Sequence, residues 1–424
     1  MGIKLGCIAD DFTGATDLAN NLVRSGMRVM QAIGVPGGDL LDDVDAVVIA
    51  LKSRTAPADE AVRDSLASLD WLRAQGAQQI YFKYCSTFDS TPAGNIGPVT
   101  EALMAALDTD FTIATPAFPD NKRTVFKGYL FAGDVLLQES GMQNHPLTPM
   151  TDSNLVRVMQ SQCKSPVGLI DYTVVQQGAA AIQARIAALR AEGVRIAIVD
   201  ALSNDELMAM GPALKSLPLL TAGSGVAIGL PQNFGIGPSD QAGTLPKGTG
   251  FRAVVSGSCS IATNKQVAHF ISSGLPAFVV DPVKIAAGDD VVGQVLAQAV
   301  PLLNGQDPIL IYSTADTGAL KAVQSQLGVA QAGALVERTI ANIARELVGH
   351  GVGQLVVAGG ETSGACVQSL GISQMQIGAQ IDPGVPWCFA QTDVHDQRGV
   401  HIALKSGNFG TDDFFIKAFG RLDS

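Results

Sequence analysis

Two adjacent carboxylates, Asp10 and Asp11, stand where the first apolar run of the chain gives way to Phe12-Thr13-Gly14-Ala15. A strand that stops there and feeds a helix puts both acids at the carboxyl edge of a sheet, where open parallel sheets bind ligands. Such a pair could bind sugar hydroxyls, hold Mg²⁺ or accept a proton. One acid could instead cap the helix and favour its dipole. A single cap leaves the second acid and Gly14 unexplained.

Other strand ends deliver polar groups in the same way. Lys83-Tyr84-Cys85-Ser86-Thr87-Phe88-Asp89-Ser90-Thr91 follows one apolar run and Lys52-Ser53-Arg54-Thr55 another. Hydroxyls such as Ser86 and Ser90, with Asp89, would share the rim with the acids. Arg54 and Lys83 could pair with a carboxylate or phosphate of a substrate. Farther on, Pro119-Asp120-Asn121-Lys122-Arg123 offers Asn121, Lys122 and Arg123 as anion or hydroxyl contacts, and Asn144-His145-Pro146-Leu147 reads as a lid tip or a plain turn.

The second half carries glycine-rich loops. Ala358-Gly359-Gly360-Glu361-Thr362-Ser363-Gly364 lies between an apolar run and a helix-like segment, and Ser256-Gly257-Ser258-Cys259-Ser260 repeats that arrangement. Glycines let backbone N–H groups approach a phosphate, and a helix start adds positive field. Each loop alone could be a tight turn; two together point to a polyphosphate. Gly-x-x-x-x-Gly-Lys-Ser/Thr and Gly-x-Gly-x-x-Gly are both absent. Ser313–Gly318, with Asp316, could cap a helix or approach a nucleotide. Lys405-Ser406-Gly407-Asn408-Phe409-Gly410 follows the last apolar strand; its glycines could admit a nucleotide or form a plain turn. His395 and His401 lack partner spacing. Ser224, in Ala222-Gly223-Ser224-Gly225, only loosely resembles a nucleophile elbow.

The elements that must hold these groups read as α/β. The chain has 424 residues, 47% hydrophobic and 16% charged, enough for two or three domains with sheets covered on both faces. Strands are expected at residues 4–9, 44–51, 79–84 and 111–115, alternating with helices at 15–25, 58–73 and 96–107. Residues 116–150 break the rhythm and read as a long irregular insertion. Alternation resumes at 167–171, 179–191, 194–200 and 217–220. A second α/β unit has strands at 252–255, 277–281, 308–312 and 355–358, a helix at 335–350, and closing strands near 386–390 and 400–404. The organisation expected is two α/β domains with mainly parallel sheets, 1–235 and 251–424, joined by a Pro- and Gly-rich linker at 236–250.

A net charge of −11 argues against a nucleic-acid or anionic-membrane partner. Six scattered cysteines and five histidines show no zinc spacing. No apolar run is long enough to span a bilayer, and the first strand starts without an export signal, so a cytoplasmic protein with reduced cysteines is expected.

Joined together, Ala9-Asp10-Asp11-Phe12-Thr13-Gly14-Ala15, residues 83–91, 119–124 and 359–364 resemble the four-carbon acid sugar kinase family over nearly the whole chain. The resemblance implies an N-terminal substrate domain and a C-terminal nucleotide domain. It implies ATP-dependent phosphorylation, with Mg²⁺, of the terminal hydroxyl of a four-carbon 3-oxo acid to a 3-oxo-tetronate 4-phosphate, in threonate or erythronate catabolism. D-threonate and D-erythronate are alternative acceptors. ATP contacts carry over onto Ser258, Gly360, Glu361, Thr362, Ser363 and Gly407. In this reading Asp10 or Asp11 orients or deprotonates the acceptor hydroxyl, and acid-lined strand tips of the front lobe confront a triphosphate cradled by the rear lobe. Partners would be small molecules only, ATP and the sugar acid; a homodimer is compatible with this. A nicotinamide dehydrogenase, a two-lobed binding protein and a sugar-sensing regulator are the rival classes. They would ordinarily show a dinucleotide fingerprint, an export signal and a DNA-binding module, respectively.

Overall fold

A computed structural model describes residues 2–37, 44–145, 147–313, 329–394, 399–407 and 409–422. Pro146, residues 314–318 with Asp316, His395 and Asn408 lie outside the described residues. The chain divides into two compact units, Met1–Gly243 and Thr244–Ser424.

In the first unit, β1 (Leu5–Ala9), β2 (Val29–Ile33), β3 (Ala46–Ala50), β4 (Gln79–Lys83) and β5 (Thr112–Thr115) alternate with helices α1 (Phe12–Arg24), α2 (Ala58–Ala74) and α3 (Ile96–Ala106). β9 (Val167–Ile170), α4 (Ala179–Ala191), β10 (Ile196–Val199), α5 (Asn204–Ala213) and β11 (Leu219–Ala222) continue the pattern. The strands pair in parallel in the order β2-β3-β1-β4-β11-β5-β10-β9. Strands covered on both faces need apolar residues throughout, and all five residues of β1 and of β3 are buried. Each buried Ile, Leu or Val there contributes about 1.5–3 kcal/mol over an exposed one.

β2 was not among the expected strands. Its run, Val29-Met30-Gln31-Ala32-Ile33, is interrupted by a glutamine, but Gln31 is buried and accepts from Thr16 Oγ1 at 3.0 Å. The supposedly irregular insertion is also ordered. β6 (Arg123–Phe126), β7 (Tyr129–Ala132) and β8 (Val135–Leu136) form a small antiparallel sheet. Its first hairpin turns on Lys127 and Gly128 with φ of 53° and 76°, the two positive values a two-residue turn needs. Asp200, just after β10, accepts from the backbone N–H groups of Lys127, Gly128 and Tyr172 at 2.7–2.8 Å and fastens that turn to the main sheet.

In the second unit, β12 (Phe251–Ser256), α6 (Ile261–Ser272), β13 (Ala277–Val280), α7 (Val291–Ala299), β14 (Ile309–Ser313), α8 (Val329–Gly349), β15 (Val352–Ala358) and α9 (Gly360–Ser369) lead to β16 (Gln374–Asp382), β17 (Val385–Gln391), β18 (Gly399–Lys405) and α10 (Phe414–Leu422). The order is β13-β14-β12-β15-β18-β17-β16. The first five strands are parallel, while β17 runs antiparallel to both its neighbours. Trp387, Phe414, Phe415 and Phe419 fill the core beneath this mixed edge.

Candidate functional site

Strand order decides where ligands can sit. In the first unit the chain leaves β1 for β2 and β3 on one side, then crosses to β4 on the other. The β1/β4 boundary is therefore a topological switch point, with its crevice outside the carboxyl strand ends. In register, Ala9 lies opposite Ala50 and Lys83, and Lys83 opposite Ala222. The second unit has its own switch point between β12 and β15, where Ser256 lies opposite Ala358.

At the first switch point Asp10, Asp11, Arg54 and Lys83 form one ion-pair cluster. Arg54 grips Asp10 with two bonds, Nε–Oδ2 at 2.9 Å and Nη2–Oδ1 at 3.0 Å, and reaches Asp11 Oδ1 at 2.5 Å. Lys83 Nζ lies 3.2 Å from Asp11 Oδ1 and 3.9 Å from Asp10 Oδ1. Asp89 Oδ2 is 3.9 Å from Arg54 Nη1 and its other oxygen accepts from Thr87. Backbone bonds fix the frame: Asp10 N donates to Lys83 O, and Ser53 and Arg54 N–H groups donate to Asp10 O. Asp11 is also the N-cap of α1, accepting from Gly14 N–H at 3.2 Å and from Thr13 Oγ1 at 2.9 Å. Asp11 thus caps the helix and joins the ion cluster at once. Gly14 is required by crowding, since a Cβ there would lie 1.7 Å from Lys83 Nζ and 2.2 Å from Asp11 Oδ1.

The two acids differ in access and in proton affinity. The Asp10 side chain is 5% exposed and Lys83 4%, whereas Asp11 and Arg54 are each 24% exposed. Burial pushes the Asp10 carboxyl above the ordinary carboxylate range, against the pull of Arg54 and Lys83. Burial pushes Asp11 up too, but Lys83, Arg54 and the bonds from Thr13 and Gly14 outweigh it and hold its carboxyl well below that range. For Lys83, burial is outweighed by Asp11 and Asp10, which keep the ammonium charged. Environments that drive two neighbouring carboxyls apart are a feature of acid–base sites.

The remaining sequence candidates of this unit are placed unevenly. Ser86 is half-buried on the loop after β4. Ser90 is buried and its hydroxyl is engaged by Gln162 Nε2, so that group is spoken for. Asn121 and Arg123 bond to each other, Arg123 Nη1 to Asn121 O at 2.9 Å, and among the described residues neither bonds to the acid cluster. His145 closes a local turn, accepting from Thr148 N–H at 3.0 Å. Ser224 is buried and donates to Asp17. A residue not singled out from sequence, Asn95, holds the Arg54 loop through Arg54 O and Ala56 O, both at 3.3 Å. Its signal was weak, a lone Asn at a helix start.

At the second switch point three loops meet. Gly257 N–H donates to Ala358 O and Gly359 N–H to Lys405 O. Gly359 has φ of 122°, open to glycine alone, and caps α9 without a side-chain bond. Gly360 and Glu361 are exposed in that first turn, which leaves its N–H groups for an anion. Thr362 and Ser363 are buried, and the Ser363 hydroxyl is a buried oxygen without a partner. Ser258 Oγ accepts from Ser260 N–H at 3.3 Å, and Ser260 caps α6 through Thr263 N–H at 3.2 Å. A Cβ on Gly407 would come within 2.8 Å of Ser258 Oγ, so the Gly407 loop closes on the Ser258 loop. His401 is buried against Pro246 O. Among the described residues no cluster of three His, Cys, Asp or Glu is arranged to hold a metal, and no helix is long and apolar enough to cross a membrane.

Comparison with known proteins matches both halves. Residues 5–230 match a sugar-binding N-terminal domain and residues 253–415 a nucleotide-binding C-terminal domain. The chain is 58% identical over 423 residues to a 3-oxo-tetronate kinase of Burkholderia multivorans, covering 99% of this chain and 97% of that one. It is 57% identical over the same length to a 3-oxo-tetronate kinase of Pseudomonas fluorescens, again covering 99% and 97%. Among solved structures, a Haemophilus influenzae protein superposes with a TM-score of 0.85 at 46% identity, covering 98% of this chain and 100% of that one. A Salmonella typhimurium protein described as a putative tRNA synthase superposes at 0.88, also at 46% identity, covering 98% of each.

Proposed function

The chain belongs to the four-carbon acid sugar kinase family, and from that premise we propose that it transfers the γ-phosphate of ATP to the C4 hydroxyl of a 3-oxo-tetronate. The names of the full-length relatives support this acceptor. One observation carries the chemistry: at the switch point of the sugar-binding unit, the members of the ion cluster open to solvent are one carboxylate, Asp11, and one guanidinium, Arg54. A sugar acid offers a hydroxyl to the first and a carboxylate to the second.

Phosphoryl transfer proceeds through a loose transition state, so positioning and charge matter more than strong base catalysis. Asp11, ionised at neutral pH, accepts a hydrogen bond from the C4 hydroxyl and aligns its lone pair with phosphorus. Asp10, shielded and doubly bonded to Arg54, orients the guanidinium that receives the substrate carboxylate. Lys83 neutralises Asp11 from behind rather than binding substrate. Ser86 and Asp89 are proposed as further hydroxyl contacts, with Ser90 acting through its bond to Gln162, and Asn121 and Arg123 are proposed as outlying contacts of the acid. In the nucleotide-binding unit, Ser258, Gly360, Glu361, Thr362, Ser363 and Gly407 line the loops assigned to ATP, and residues 236–250 link the units.

Mg²⁺ bound to nucleotide keeps most of its shell as water and phosphate oxygen, needing only one or two protein carboxylates. The described residues fit that demand: Glu361, exposed in the first turn of α9, is the carboxylate these loops offer. Held there, Mg²⁺ would supply positive charge against the triphosphate. A tRNA partner draws no support from a chain of net charge −11.

The decisive assay couples ADP release to the acceptor, comparing 3-oxo-tetronates with D-threonate and D-erythronate. Turnover confined to the 3-oxo acids supports the reading, and turnover on the tetronates alone moves the chain to the alternative acceptors. Asp11→Asn should lower kcat by roughly 10²–10³ while leaving the Kd for ATP within about threefold, the spread of ordinary surface changes. Wild-type turnover in that variant removes Asp11 from the mechanism.

A further inference from the structure

Lys405 is the last residue of β18, and none of it reaches solvent. Its ammonium donates to Thr263 Oγ1 at 3.0 Å, Ser406 O at 3.0 Å and Gly407 O at 3.1 Å. All three acceptors are neutral. The titratable or charged side chains on the elements around it are Glu361 and Cys366 of α9, Cys388 of β17, His401 of β18, Lys265 and His269 of α6, Lys417 and Arg421 of α10, Cys259 of the loop before α6, and Asp412 and Asp413 of the loop before α10; β15 carries none. Among the described residues the ammonium bonds to none of these. A charge taken out of water and met only by neutral dipoles stays uncompensated, a state that proteins normally relieve with a carboxylate or a bound anion.

The position of this charge is specific. Lys405 O accepts from Gly359 N–H, the residue that caps α9. Gly407 O, held by the ammonium, also accepts from Ser260 Oγ at 2.5 Å and Thr263 Oγ1 at 2.9 Å. Lys405 thus ties together the loops after β12, β15 and β18, the same loops that carry Ser258, Gly360–Ser363 and Gly407.

Resting on the kinase reading above, we propose that Lys405 is a positioning residue for ATP: its buried ammonium, unneutralised among the described residues, fixes the Ser258 and Gly407 loops and supplies the positive charge that the triphosphate compensates. Two consequences follow from linkage. Burial pulls the free ammonium down to about 8. An arriving polyanion favours the charged form, so nucleotide binding above that pH takes up a proton, and affinity falls as pH rises.

The test is calorimetric titration of the full-length protein with MgATP between pH 7 and 9.5, each pH in two buffers of different ionisation enthalpy. Wild type should take up a proton near pH 8.5, and its Kd should rise roughly tenfold from pH 8 to 9.5. Lys405→Arg, which stays charged, should bind with a flat profile over that range. Lys405→Met should bind at least tenfold more weakly at pH 7.5 and take up no proton. Tight wild-type binding with a flat profile, or a Lys405→Met protein matching wild type at pH 7.5, overturns the inference and leaves the kinase intact. No MgATP binding by wild type at any pH overturns the kinase reading and the inference with it. A purely structural lysine would shift unfolding in the variants without moving the proton count.

Discussion

Lys83 and Lys405 each end a strand near the switch point of their unit, Lys83 on β4 at the β1/β4 boundary and Lys405 on β18 beside β15, and each is almost wholly buried. Their chemistry is opposite. Lys83 faces Asp11 and Asp10, whose charges outweigh its burial and raise its proton affinity. Lys405 faces hydroxyl and carbonyl oxygens, and its proton affinity drops. Burial alone therefore does not set the state of a lysine; the charge of its partners does. A neutralised cation serves a site that must hold an uncharged hydroxyl, while an unneutralised one suits a site that must attract a polyanion.

The strongest way to break this comparison is to delete each ammonium in turn. Lys83→Met leaves Asp10 and Asp11 to share Arg54, with one buried negative charge unmatched among the described residues, and should cost about 3–5 kcal/mol. Lys405→Met removes a charge without a counter-charge, and Ser406 O and Gly407 O keep other donors, Phe409 N–H and the Ser260 and Thr263 hydroxyls. Its cost should stay within about 1 kcal/mol. Urea midpoints of the two variants measure the difference; equal losses would erase the distinction. A finer probe adds one methyl group beside each site. Gly14→Ala drives a Cβ into the Lys83 ammonium and should cost about 1–3 kcal/mol together with most of the activity. Gly407→Ala meets first the hydroxyl side chains of Ser258 and Ser260, so it should raise the KM for ATP while costing less than about 1 kcal/mol. The smallest effect is in acid. Asp11 has a folded-state proton affinity below the unfolded value, so its stabilisation is complete above about pH 4 and disappears as pH falls through the lower, folded value. The gap in urea midpoint between wild type and Asp11→Asn should accordingly shrink from pH 7 to pH 3. A gap that widens would mean that Asp11 is not ionised in the native protein.

What could be read from sequence follows from what each strand has to do. Strands covered on both faces must be apolar, so β1, β3, β4, β12 and β15 announce themselves, and the residues after them can be assigned to one rim. β2 did not, because its central Gln31 is satisfied by a side chain fifteen residues earlier. The β6–β8 sheet escaped because its strands span two to four residues and its turn uses Lys127 at positive φ, where Asn or Asp would have signalled a hairpin. Asp10, Asp11, Arg54 and Lys83 were legible as groups on one edge, but not their pairing: spacing along the chain says nothing about which carboxylate Arg54 grips. Lys405 opens a glycine stretch that the sequence does single out, but its role was not legible, because its distance from acids among the described residues is a property of the fold.

The lacing of Asp10, Asp11, Arg54 and Lys83 ties the tips of β1, β3 and β4 together with the groups that meet the substrate. Those four positions are consequently poor places for the family to diversify, since any exchange that retunes recognition also loosens the edge. Preference among related acids should have evolved instead in the peripheral loops and the small antiparallel sheet, where a residue can change without unpicking a strand.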